Sequence, residues 1–186
     1  MVMLTAACAS APAEIPSAKP SPSAAPTTIA PGVRVNPSQL RLPPYSVSTS
    51  NPLPPGTSAK SVVTDVTVDN LIENVALERD DAALLQYSDS GDVLAIDQNQ
   101  VSANKADGIT ILKVVDAVSS IEVGARTDPN SSAAQIALIV EGVETTTART
   151  GPKHPRTTST NFKILIWVLW SAHVHRYLQC DVSTLS

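Results

Sequence analysis

Aromatic side chains are scarce, with one Phe, two Trp and three Tyr among 186 residues. Basic residues are also few, at 13 Lys and Arg against 17 Asp and Glu. Without a basic stripe and with so few rings to stack on bases, the chain lacks what nucleic-acid recognition needs. No apolar run approaches the roughly 20 residues of a membrane-spanning helix; residues 162–170 are only a strand's length. The glycines form neither a Gly-x-Ser-x-Gly nucleophile elbow nor a Gly-rich phosphate loop, which removes the two commonest signatures of hydrolases and nucleotide binders.

Proline is present in quantity but is unevenly placed. Twelve of the fifteen prolines fall between residues 9 and 57, together with much Ala, Ser and Thr, and Glu14 is the one acid there. Such a composition offers too little apolar area to offset the entropy of ordering it, so residues 9–60 read as a disordered, extended stalk. Ahead of it, Leu4-Thr5-Ala6-Ala7-Cys8 resembles the end of a bacterial lipoprotein signal, in which small residues precede a cysteine that takes the lipid. The chain is then divided into a truncated signal at residues 1–8, a stalk at 9–60 and a folded domain at 61–186, with the true start upstream. Lipid on Cys8 implies a membrane anchor on the extracytoplasmic face, and it leaves no pair of cysteines for an intrachain disulfide. Cys180, in an alternating segment, reads as a small core residue.

The last 126 residues hold sixteen acids against nine Lys and Arg and are long enough to bury a core. Helices come first. Val68, Leu71, Ile72, Val75 and Ala76 repeat at helical spacing, with Thr64, Asp65 or Thr67 available to cap. A short second helix is expected at residues 82–87 and a third at 92–104, opened by Ser90-Gly91-Asp92 and closed by Gly108. The period then changes to that of strands. Residues 109–126 alternate with a face shift near Ser119-Ser120 that marks a bulge, and residues 127–130 make a turn. Residues 133–147 return, with a kink at Gly142, and residues 148–161 read as a mobile loop. A closing hairpin has arms at 162–170 and 177–182. Phe162, Ile164, Ile166, Val168 and Trp170 share one face of its first arm, and Lys163, Leu165, Trp167 and Leu169 share the other, so both faces are expected to be covered.

This order of elements resembles the NTF2-like cone, an α+β fold in which two to three helices pack on a bent, antiparallel, four-stranded sheet. Three segments, Asp89-Ser90-Gly91-Asp92, Ile166-Trp167-Val168-Leu169-Trp170 and Arg176-Tyr177-Leu178-Gln179-Cys180-Asp181-Val182, are similar to uncharacterised actinobacterial lipoproteins with such a domain. The resemblance implies a pocket between helices and sheet, used by different relatives as an enzyme site, as a ligand site or not at all, and fold alone does not choose.

For acid–base chemistry in that pocket the candidates are Asp116, on the face of Leu112, Val114 and Val118, then Asp97 on the third helix, and Tyr87. The two acids have ordinary alternatives, a carboxylate at a bulge for Asp116 and a solvated helix position for Asp97. His173 and His175 have the spacing of two metal ligands, but they fall in a turn with no third ligand in sequence, so no metal site and no cofactor are assigned. The leading reading is an envelope-anchored, non-enzymatic module binding a small apolar ligand or an envelope protein on the concave side, through an open apolar pocket without a tuned carboxylate. A structural envelope protein, its cavity filled by Trp167 and Leu169, comes second. A hydrolase or isomerase with a raised Asp in an enclosed cavity comes third. A second copy of the chain is a further candidate partner in all three.

Overall fold

The computed structural model describes residues 25–36, 46–127, 134–151 and 154–185. Cys8 and the 127–130 turn beyond Thr127 lie outside these residues. The fold is α+β, but its sheet has five strands rather than four, and it is mixed rather than antiparallel. Much of the supposed stalk belongs to it. Thr27–Ala30 (β1) and Val33–Val35 (β2) form a two-stranded hairpin, and Ser46–Thr49 (β3) is the edge strand of the main sheet. These findings correct the four-stranded NTF2-like cone and, at residues 25–36 and 46–60, the disordered 9–60 stalk; residues 9–24 and 37–45 lie outside the described residues.

The physical reason lies in local pattern. Pro31 and Gly32, the latter at φ 71°, supply the turn, and the flanking Thr, Ile and Val residues are good strand formers. Ala30, Val33 and Val35 are buried, Ala30 and Val33 in one core cluster with Ile72 and Ala76. The helix that carries Ile72, α1 (Ala59–Arg79), starts earlier than the apolar spacing indicated because Ser58 and Ser61 form a reciprocal capping box. A 3₁₀ helix at Ala82–Tyr87 and α2 (Gly91–Ala106) follow, close to their expected places.

Four long strands then run antiparallel: β4 (Ile109–Thr127), β5 (Ala134–Thr150), β6 (Arg156–Ser171) and β7 (Arg176–Thr184), in the order β3-β4-β5-β6-β7 with β3 parallel to β4. The expected loop at 148–161 shrinks to the few residues around Gly151, since residues 156–160 pair with 144–148. The bulge foreseen near Ser119 is present, and a second occurs at Asp116. Opposite them stands Gly142, where a Cβ would lie 2.3 Å from the Ala117 carbonyl oxygen and 2.9 Å from Phe162 Cζ. Only a residue without a side chain lets the three strands approach there.

One face of the sheet packs on α1 through Val62, Val63, Ile121, Val123, Leu138 and Ile166. The other is not covered as expected: Trp167 is half-buried and Leu169 is 42% exposed, while Trp170, at the end of the first face, is 56% exposed. Trp170 lies edge-on to Tyr177, with ring centroids 5.3 Å apart. Trp167 and Leu169 alternate with Ile166 and Val168 and therefore do not fill the space beneath the helices.

Candidate ligand cavity

Where α1 and α2 lean over the concave side of β4 to β7, side chains leave a cavity of about 790 Å³. Its apolar walls include Leu77 and Leu85 from the helical layer and Phe162, Ile164 and Ile166 from β6. Its mouth is open, because Ile96, Val115 and Val182 line it while remaining 64%, 36% and 41% exposed. The size suits a small organic ligand.

The cavity carries charge as well. Glu73 enters from α1, Asp97 from α2 and Lys113 from β4. The Gln179 side-chain amide, from β7, donates to Glu73 Oε1. Behind Glu73 stands Asp89, 1% exposed, with no donor to either carboxyl oxygen among the described residues. Burial is the first cause that raises both carboxyls and the charge of Asp97 adds to it in each; Glu73 raises Asp89 further, whereas the hydrogen bond from Asp89, Lys113 and the Gln179 amide hold Glu73 down, so the pair takes up protons at apparent values of about 7 and about 9. The outcome is a shared arrangement in which Asp89 keeps its proton and Glu73 is the ionised acceptor. Burial also raises Asp97, while Lys113 pulls it back.

A second polar group fixes this region. Asp65, Asp69 and Glu73 recur every four residues, so they lie along one face of α1 toward β7. The guanidinium of Arg176 bonds to Asp69 Oδ1 and to the Tyr87 carbonyl oxygen, and the Tyr177 N–H donates to Asp65 Oδ2 over 3.1 Å. Asp69 is fully buried, and desolvation raises it well above the carboxylate range despite Arg176. Burial raises Asp65 too, opposed by the Tyr177 N–H and by Arg176. The segment Ser88–Ser90 adds itself to β7: the Gln179 N–H donates to Ser88 O over 3.1 Å, and the Ser90 N–H donates to Gln179 O over 2.7 Å. Two of the segments that carried the sequence resemblance, 89–92 and 176–182, thus meet each other.

Of the residues singled out from sequence, Asp97 is in the cavity. Asp116 is not. It is the extra residue of a bulge, exposed on the outer face, and accepts a 2.5 Å hydrogen bond from Thr145 Oγ1. Tyr87 serves through its backbone carbonyl on Arg176, and its ring lies 6.3 Å from that of His173. His173 and His175 are in the β6–β7 turn, and among the described residues no three His, Cys, Asp or Glu side chains converge as a metal site. Glu73, Asp89 and Asp69 were missed. The four-residue spacing of acids on an otherwise apolar helix face was the available signal for two of them.

No protein-family model matches the chain, and no curated protein matches it. Among solved structures, the intermembrane space region of the chloroplast protein ARC6 is similar, with a TM-score of 0.53 and 16% identity. The match covers 73% of this chain and 99% of that one. This likeness is one of fold alone.

Proposed function

We propose that this chain is a binding module that takes a small, largely apolar molecule into the cavity between its helices and its sheet, and that a lipid on Cys8 tethers it to the outer side of a cell membrane. The observation that carries the binding reading is the open cavity itself, about 790 Å³ of mostly apolar wall. The cavity differs from the pocket expected for a pure apolar binder in holding raised carboxyls, Glu73 and Asp97. Those groups also favour a second reading, acid–base catalysis. It ranks lower because Glu73 is engaged by Gln179 and by its carboxyl partner Asp89, which suits a fixed charge better than a proton shuttle.

The neutral fluorescent probe N-phenyl-1-naphthylamine should bind the full chain with a blue-shifted emission, and Val115→Trp, which narrows the mouth, should weaken binding at least tenfold without lowering Tm. Equal emission with the parent and Val115→Trp proteins would reject the cavity as the site.

The tether is supported by the Ala6-Ala7-Cys8 sequence and by the likeness of three segments to actinobacterial lipoproteins. Fused behind a complete bacterial lipoprotein signal that runs into Ala6-Ala7-Cys8 and expressed in a bacterial host, the chain should be recovered from membranes with an acylated Cys8 by intact mass. The Cys8→Ala form should be recovered unmodified. An unmodified parent chain in the soluble fraction would end the anchoring proposal.

A further inference from the structure

Charge is distributed unevenly along this chain. From residue 145 to residue 180 there is no Asp or Glu, yet the stretch holds five of the 13 Lys and Arg residues and all three histidines. Two of the five are committed within the fold, Arg176 to Asp69 and the Tyr87 carbonyl oxygen, and Lys163 to Glu141 at 2.6 Å. The other three fall between residues 149 and 156, where β5 turns into β6. Arg149, near the end of β5, and Arg156, which opens β6, are exposed, and among the described residues neither is paired with an acid. Ile111, Lys113 and Val115 line the cavity, so Thr110, Leu112 and Val114 point to the outer face of the sheet. Thr110 stands opposite Arg149, which shares that face, and Leu112 and Val114 follow at 44% and 46% exposure. Arg156 pairs with Ala148 and therefore emerges on the other side of the same turn. This end of the sheet carries a cation on either side and an exposed apolar pair behind one of them.

We infer that this end of the sheet is a membrane contact: Arg149 and Arg156 meet anionic lipid headgroups, and Leu112 and Val114 sink to the level where headgroups give way to acyl chains. The complementarity is local. The chain has a formal net charge of −4, so an anionic surface repels most of the molecule and attracts it only through a patch such as this one. The apolar pair decides for lipid over nucleic acid. Leu112 and Val114 gain by leaving water at a bilayer boundary, whereas a nucleic acid would need rings to stack on, and residues 109–117 and 145–159 contain no Phe, Tyr or Trp. Asp116, exposed on the same face beyond Val114, bounds the contact, since a carboxylate there would face the headgroups. Each basic residue at an anionic surface is worth about fivefold in partition, so the contact is weak by itself. It suits a chain already held at a membrane, where a second contact acts at high local concentration, but it requires neither the lipid on Cys8 nor the cavity.

Sedimentation of the full chain, its Cys8 unmodified, with sucrose-loaded vesicles at low salt tests the contact. Vesicles in which about half the lipid is phosphatidylglycerol should retain the chain at least tenfold more strongly than phosphatidylcholine alone, and salt at about 0.5 M should remove most of the difference. Arg149→Ser with Arg156→Ser should cut retention at least tenfold while melting as the parent does. Arg34→Ser with Lys60→Ser, which removes the same charge from exposed positions elsewhere, should change it less than twofold. Leu112→Asn with Val114→Asn should weaken it at least threefold. Equal loss in the two charge variants, or no preference for the anionic lipid, overturns the contact. Full retention after the Leu112 and Val114 substitutions overturns the insertion of the apolar pair, and capture by oligodeoxythymidylate in place of vesicles overturns the choice of lipid.

Discussion

Asp89 concentrates the tension in this protein. Its carboxyl is almost fully buried beside Glu73, which itself faces Asp97. An acid whose folded-state value lies above its unfolded value binds its proton more tightly when folded. Its stabilising contribution is therefore complete at pH below about 4 and is lost as pH rises through the folded value. Here that loss runs from the ordinary carboxylate range through about 7 for Glu73 and about 9 for Asp89, and the raised Asp65, Asp69 and Asp97 act in the same direction. The domain should be more stable at pH 5.5 than at pH 9.5. Asp89→Asn places a neutral donor where the protonated acid stood, so it should raise stability at pH 9.5 by about 1 kcal/mol, roughly 3 °C in Tm, and flatten the pH profile. Thermal melts of both proteins across that range decide the matter; a parent Tm that rises with pH would contradict the assignment of Asp89 as the protonated partner.

At the scale of elements, segments with one strong local signal were legible and segments stabilised across the fold were not. The 91–106 helix and the bulge near Ser119 followed from caps and from alternation. Residues 156–161 read as a loop because they are polar, yet they pair with an equally polar stretch of β5. Thr147 and Thr157 hydroxyls lie 3.2 Å apart across the two strands, and Thr145 reaches Ser159 over 3.3 Å. Such cross-strand hydroxyl pairs stabilise a sheet without apolar alternation. Composition averaged over residues 9–60 hid β1, β2 and β3 in the same way: a few Val and Ile residues among prolines suffice for β1 and β2 once a helix is there to receive them, and β3, exposed along its length, is held by pairing with β4. The cavity was legible in part. Asp97 was found by its helix position, whereas Glu73 and Asp89 become neighbours only when β7 brings Gln179 between α1 and the Ser88–Ser90 segment. Asp116 misled because alternation assigns a face to every residue and a bulge breaks that rule at the residue it inserts.

For the molecule as a whole, the question is whether the N-terminal third is part of the folded unit. Val33 is 1% exposed and sits in the cluster of Ile72, Ala76 and Leu85, and Arg79 donates to the Gly32 carbonyl oxygen over 3.2 Å. Burying a valine fully contributes about 1.5–3 kcal/mol, and a carboxylate at that position would be desolvated among the apolar side chains of this cluster. Val33→Asp should therefore destabilise the protein by about 3 kcal/mol or more, seen as a lower urea midpoint with an unchanged slope. In a disordered stalk the same substitution would touch nothing. Superimposable urea curves for parent and variant would thus detach the β1–β2 hairpin from the core and return residues 25–36 to the role of a linker. A displaced midpoint would show that helix and hairpin unfold together.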